Sequence, residues 1–148
     1  MIEIRPFNAD DQNHVQAFLT VCLPESHRIF EPEGRHYKLK AIERYYKKFW
    51  CLYIDGCVAG TVGISEISKT ACELKTLFVL KHHHGNGYGE RLARHAIDFA
   101  MNEGYTEIYL DTMSESQAAI ALYKKLGFTE TARYNDNPVA DVFMKRRL

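Results

Sequence analysis

The sequence predicts a mixed α+β fold, and three observations carry that prediction. Three strand-like runs follow one another between Phe49 and Leu80, so helices and strands do not simply alternate. Further on, a strand, a helix and a strand occur in order between Cys72 and Asp111, which calls for a parallel pair joined by a right-handed crossover. Helical periodicity flanks the three strands on both sides.

Taken in order, Ile2-Glu3-Ile4-Arg5 alternates as a first strand, and Asp10-Asp11 precede a helix with Val15, Phe18, Leu19 and Cys22 on one face, ended by Pro24. Pro32-Glu33-Gly34 opens a second expected helix, in which Tyr37, Ala41 and Tyr45 recur through to Lys48. Phe49 to Ile54 and Cys57 to Ile64 then read as a hairpin about the tight turn Asp55-Gly56. Cys72 to Leu80 is the third strand, with Glu73, Lys75 and Leu77 expected on one face and Leu74, Thr76 and Phe78 on the other. Tyr88 to Glu103 carries Leu92, Ala96, Ile97, Phe99 and Ala100 as a helix that Gly104 can stop. Thr106 to Asp111 is a short buried strand. Ser114-x-x-Gln117 has the form of a capping box for a helix with Ala118, Ala119, Leu122, Tyr123 and Leu126, ended by Gly127. Phe128 to Tyr134 and Val139 to Met144 are the last strand candidates, on either side of Asn135-Asp136-Asn137-Pro138.

With 148 residues, 46% of them hydrophobic, the chain suits one domain, residues 1–148, and no repeat, low-complexity tract or linker marks a boundary. Nineteen basic and nineteen acidic residues cancel, so no global field draws the molecule to nucleic acid or to an anionic membrane. No run approaches the roughly 18 apolar residues of a membrane span, and the start lacks a signal peptide's apolar core, so a cytoplasmic address is expected. Cys22, Cys51, Cys57 and Cys72 form no C-x-x-C pair and read as buried hydrophobes in a reducing compartment.

The run His82-His83-His84-Gly85-Asn86-Gly87-Tyr88-Gly89-Glu90 joins the third strand to the next helix. A strand leading through glycines into a helix presents free backbone N–H groups and the positive end of a helix dipole, a natural seat for phosphate. Neither the P-loop nor the dinucleotide-binding fingerprint is present: no Gly-Lys-Ser/Thr follows, and Glu90 stands where a third glycine would fall. His82 and His84 would share a face of an extended segment, but no further ligand lies at a metal-binding spacing, so no metal is expected. A solvated loop without a ligand is the remaining alternative.

Glu73 to Phe128, with His84-Gly85-Asn86-Gly87-Tyr88-Gly89 and then Ala118-Ala119-Ile120-Ala121-Leu122-Tyr123-Lys124-Lys125-Leu126-Gly127-Phe128, resembles the core of the GNAT superfamily of acetyl-CoA-dependent N-acetyltransferases. Two positions depart from the family pattern: His84 replaces a Gln or Arg, and Ser116 stands where many members have Asn. The resemblance implies a central, mostly antiparallel sheet with helices on both faces and a splayed parallel strand pair. It implies transfer of an acetyl group to a primary amine of a small molecule, amino acid or peptide; a non-catalytic acyl-CoA-binding regulatory module is the alternative.

It further implies that Leu77, Phe78 and Val79 pair with the pantetheine arm, and that His84, Gly85, Asn86, Gly87, Tyr88, Gly89, Glu90 and Ser116 contact acetyl-CoA. Glu73 and Asp111 are the base candidates, and Tyr123 is the candidate acid for the departing thiol. Each has a plainer reading: Glu73 as a strand carboxylate paired with Lys75, Asp111 as a cap or turn former, Tyr123 as an aromatic core position. The acceptor pocket is expected between Glu25 and Tyr46 and between Tyr134 and Pro138, and the aromatic-rich ends permit a homodimer.

Overall fold

The computed structural model describes residues 1–148. Its elements run β1 (Ile2–Pro6), α1 (Gln12–Glu25), α2 (Ile42–Tyr45), β2 (Lys48–Ile54), β3 (Cys57–Glu66), β4 (Ala71–Val79), α3 (Tyr88–Asn102), β5 (Glu107–Thr112), α4 (Gln117–Lys125), β6 (Thr129–Glu130) and β7 (Val142–Arg147). All seven strands join one sheet in the order β1-β2-β3-β4-β5-β7-β6, antiparallel throughout except for the parallel pair β4–β5. The α+β expectation, with one parallel pair, is realised.

Side chains alternate across the sheet and build two apolar clusters. On one face Leu92, Ala93, Ala96 and Ala100 of α3 and Tyr123 of α4 pack on Trp50, Leu52, Val62 and Leu110. On the other, Val15, Phe18, Leu19 and Cys22 of α1 pack on Phe49, Cys51 and Val58. The hairpin turn uses Asp55 (φ 50°) and Gly56 (φ 82°), both left-handed as a type I′ turn requires. Gly104 (φ 90°) and Gly127 (φ 93°) end α3 and α4 as expected.

Four expectations are corrected. Pro32 to Lys48 is not one helix: a 3₁₀ turn (Tyr37–Lys40) and the four-residue α2 break it, and Tyr46 is already extended. Aromatic recurrence misled there, because Tyr46 leaves the helical path to cross Gly63, where a Cβ would sit 2.6 Å from its ring. At the end of the chain only Thr129–Glu130 of the expected Phe128–Tyr134 strand pairs, and the last strand lies at Val142–Arg147 rather than Val139–Met144. Between them Arg133 donates to the carbonyls of Asn135, Asn137 and Ala140, and that local network takes the backbone out of the sheet. Ser114 does not cap α4: its N–H and hydroxyl both donate to Asp141, and Ser116 occupies the N-cap position without a side-chain cap. A capping box does form before α1, where Asn8 accepts from Asp10 and Asp11 accepts from the Asn8 N–H at 3.0 Å.

The fourth correction bears on the site. Gly63 opposes Lys75 and Thr61 opposes Phe78, so Thr76 and Leu77 together face Val62 in a bulge. Thr76 takes φ 57°, its carbonyl accepts from Thr61 Oγ1 at 2.7 Å, and its hydroxyl lies 2.7 Å from the Tyr46 hydroxyl. The extra residue inverts the alternation. Cys72 and Leu74 point to the α3 side, and beyond the bulge Leu77 and Val79 do so too, while Phe78 turns to the α1 side. Phe78, not Leu77, therefore shares a face with Glu73 and Lys75.

Candidate active site

The parallel ladder between β4 and β5 is short, running from Ala71↔Glu107 to Glu73↔Tyr109, and beyond it the strands part. Val79 sits opposite Gly60, and the neighbouring pair carries the Leu80 N–H to Ala59 carbonyl bond at 2.9 Å, so Val79 itself is a non-hydrogen-bonded position of the ladder with β3. Its N–H and carbonyl consequently face the gap on the β5 side. Phe78 has its backbone turned to β3.

The glycine loop follows at the end of that gap. Gly85 (φ 84°) and Gly87 (φ 79°) are left-handed, with nothing within 4 Å of where a Cβ would be. Gly89 lies in α3 with ordinary helical φ, so only two of the three glycines serve the backbone. The first N–H of α3 to find a backbone acceptor is that of Arg91, on the Gly87 carbonyl at 3.1 Å. The six amides from Gly85 to Glu90 have no acceptor within the chain. Together with the dipole of a 15-residue helix they form a candidate anion seat.

The loop side chains hold this shape. Asn86 Nδ2 donates to the His83 carbonyl at 3.0 Å, and Tyr88 is half-buried against the core on the α3 side. The His84 ring folds back, so that its Nε2–H donates to the Val79 carbonyl at 2.7 Å. Glu90, whose charge would oppose an anion at the loop, is neutralised by Lys125 of α4 at 2.7 Å and by Arg94 at 2.9 Å, and these hydrogen bonds hold its carboxyl below the usual range. Arg94 stands one helical turn from Glu90, whereas Lys125 is 35 residues away in sequence.

Glu73 and Asp111 come together on the α1 side of the sheet, one from each parting strand. Asn135 Nδ2 joins them, at 3.2 Å from Glu73 Oε2 and 2.6 Å from Asp111 Oδ2. The Tyr134 hydroxyl donates to Glu73 Oε2 at 2.6 Å, and Asn137 Nδ2 donates to Asp111 Oδ1 at 3.3 Å. Burial first, then the charge and hydrogen bond of Glu73, push the Tyr134 hydroxyl far above the usual tyrosine range. Lys75 Nζ lies 4.0 Å from Glu73 Oε1, an oxygen with no hydrogen bond of its own, whereas both oxygens of Asp111 are engaged. Asn135 was expected only as one residue of a loop bordering the acceptor pocket, since a side chain bridging residues 62 and 24 positions away leaves no local signal.

Tyr123 lies in α4, 7% exposed, with its ring edge-on to Phe128 at 6.0 Å between centroids. Burial pushes its hydroxyl up to about 12, with Arg28 pulling it down and Asp111 adding to the rise. Ser116 Oγ accepts from Arg28 Nη2 at 3.3 Å. The site thus gathers an anion seat, a free strand edge, two linked carboxylates and a protonated phenol around one gap. No group of three or more His, Cys, Asp or Glu side chains converges as ion ligands, and no helix is long and apolar enough to cross a membrane.

Comparison with known proteins accounts for this arrangement. Residues 14–128 match the model of the Acetyltransferase (GNAT) family. A zebrafish (Danio rerio) protein named N-acetylaspartate synthetase is 34% identical over 107 residues, 68% of this chain and 38% of that protein. The chain spans about two fifths of the length of the curated relatives it matches. The crystal structure of a GNAT-family acetyltransferase from Staphylococcus aureus Mu50 superposes with a TM-score of 0.90 over 99% of both chains at 23% identity. That of an N-acetyltransferase from Thermoplasma acidophilum in complex with coenzyme A superposes with a TM-score of 0.76 over 100% of this chain and 99% of that one, at 16% identity. The matched span takes in the parted strands, the glycine loop and the segment Leu122 to Phe128, and the chain belongs to the acetyltransferase (GNAT) family.

Proposed function

We propose that the protein is an acetyl-CoA-dependent N-acetyltransferase, which transfers the acetyl group by direct attack of a primary amine borne by a small molecule, amino acid or peptide. The observation that carries this reading is the run of six partnerless amides, Gly85 to Glu90, beside a strand edge that β5 leaves free. The residues present fit the coenzyme. The open space over Gly85 and Gly87 leaves room for a diphosphate against the backbone, and Lys125 and Arg94 remove the charge that would repel it. Leu77 and Val79 offer the strand edge to the pantetheine arm, and His84 yields the Val79 carbonyl to it. Ser116 lines the opposite wall at the start of α4.

Bound acetyl-CoA supplies a thioester carbonyl that an amine can attack. An amine with a pKa near 10.4 is neutral only about once in a few thousand molecules at pH 7, so a proton must be taken from it. Glu73 takes that proton, directly or through a water, because its Oε1 is free while both Asp111 oxygens are occupied. Asp111 and Asn135 hold Glu73 in place. Tyr123 keeps its proton at neutral pH and directs it at the departing sulfur. With a pKa of about 12 against about 8.5 for a thiol, it acts chiefly as a hydrogen-bond donor to the developing charge.

Two measurements test this reading. Calorimetric titration with coenzyme A is expected to give binding to the native protein and none to Gly87→Glu, whose side chain adds bulk and charge at a left-handed position. Thiol release from acetyl-CoA in the presence of an amine panel is expected to exceed the rate without amine. Normal affinity in Gly87→Glu would refute the diphosphate seat, and no amine-dependent release would refute catalysis.

A further inference from the structure

Arg28 is a cation without a carboxylate. It lies just past the C-terminus of α1, is half-buried, and forms no ion pair. Its guanidinium donates to two hydroxyls, Ser26 Oγ at 2.8 Å and Ser116 Oγ at 3.3 Å, and stands 5.8 Å from the centre of the Phe78 ring. A guanidinium presents five donors in a fork that matches a carboxylate, and two neutral hydroxyls leave most of that capacity unused. These contacts also fix where the charge stands. Phe78 reaches this face only because of the bulge at Thr76, and Ser116 opens α4, so Arg28 spans the mouth of the gap between β4 and α4.

The opposite charge lies on the same face of β4, which carries both Phe78, beside Arg28, and Glu73. Glu73 and Asp111 share Asn135 there, and Lys75 offsets one of the two carboxylates, which leaves that pole with one net negative charge. The charges of Arg28 and Asp111 act on the buried Tyr123 hydroxyl in opposite senses. A plain alkylamine or a polycation would satisfy the acidic pole and leave Arg28 unanswered. A peptide N-terminus carries no carboxylate next to its amine. A free α-amino acid carries both charges on one carbon.

We propose that Arg28 binds the acceptor's carboxylate and that the acceptor is a free α-amino acid, with its ammonium toward Glu73 and Asp111. This rests on the acetyltransferase reading above and narrows its acceptor.

The test compares each of the twenty amino acids with its α-carboxamide as acceptor, following thiol release from acetyl-CoA. In the native protein at least one amino acid is expected to exceed its amide in kcat/KM by about 10- to 100-fold, the range of one charge-assisted hydrogen-bond pair. Arg28→Gln is expected to erase that ratio by raising KM for the amino acid and not for the amide, while any change in kcat through Tyr123 falls on both substrates alike. Arg28→Lys, which keeps the charge without the fork, is expected to retain part of the preference. Amides that match or exceed their amino acids in the native protein would overturn the proposal. So would an Arg28→Gln protein that loses activity on both substrates and keeps the native ratio between them, the mark of a structural role. Coenzyme A binding with turnover only on amines that lack a carboxylate would overturn this proposal and spare the acetyltransferase reading. Failure to bind coenzyme A would remove both.

Discussion

Tyr123, Glu73 and Asp111 were candidates for the chemistry in the sequence, which offered no division of labour between the two carboxylates. Hydrogen bonding separates the two carboxylates: Asn135 and Asn137 engage both oxygens of Asp111, whereas Glu73 keeps Oε1 free. These bonds connect residues up to 62 positions apart, so no spacing rule announces them. Tyr123→Phe removes a hydroxyl that carries no bond within the chain and leaves the ring packed on Phe128. It is expected to lower kcat about 100-fold while the calorimetric affinity for acetyl-CoA stays within about twofold of the native value. An unchanged kcat would end its role at the sulfur.

Among the elements, β4 shows how one extra residue builds a site. The bulge at Thr76 inverts the side-chain alternation and brings Phe78 onto the face of Glu73, just beyond the last residue of β4 that pairs with β5. Its clamp is Tyr46, which lies over Gly63 with its hydroxyl 2.7 Å from that of Thr76. A Cβ at position 63 would come within 2.6 Å of the Tyr46 ring and 2.8 Å of the Phe49 ring. Gly63→Ala is therefore expected to destabilise the protein by about 1–3 kcal/mol in urea unfolding and to reduce activity by displacing Tyr46 from the bulge. Native stability in this variant would show that the ring moves aside freely. Residue types gave only a faint sign of the bulge: the alternation of Cys72 to Lys75 lapses at Thr76, and the apolar run Leu77 to Leu80 assigns no face by pattern.

For the molecule as a whole, three buried thiols tie stability to alkaline pH; the fourth, Cys57, expected to be buried, is exposed beside the hairpin turn. Burial, the largest cause at each, pushes Cys22, Cys51 and Cys72 from an ordinary 9.0 up to about 12. Between those values the unfolded chain has lost protons that the folded chain still holds. The stabilisation is therefore complete below about pH 9 and is lost as pH rises toward 12, at no more than about 1.4 kcal/mol per pH unit for each thiol. Urea unfolding under reducing conditions is expected to show a midpoint that is level from pH 7.5 to 8.5 and falls at pH 9.5 and 10.5. A midpoint that stays level to pH 10.5 would mean that the thiols titrate alike in both states.

The α+β class, the Asp55-Gly56 hairpin, the helices before Gly104 and Gly127 and the glycine loop with free amides at the start of α3 could all be read from residue order. Each depends on interactions within a few residues: a side-chain period, a left-handed turn position, or amides at a helix start. Beyond that reach the reading failed, at the supposed helix from Pro32 to Lys48, at the last two strands and at the facing of Leu77 and Phe78. Tertiary structure alone decided the bulge in β4, the link from Glu73 through Asn135 to Asp111, the neutralising of Glu90 by Lys125 and the station of Arg28 beside Ser116. All of these set side chains from distant parts of the chain against one another, and that juxtaposition arises only when the sheet closes its register around them.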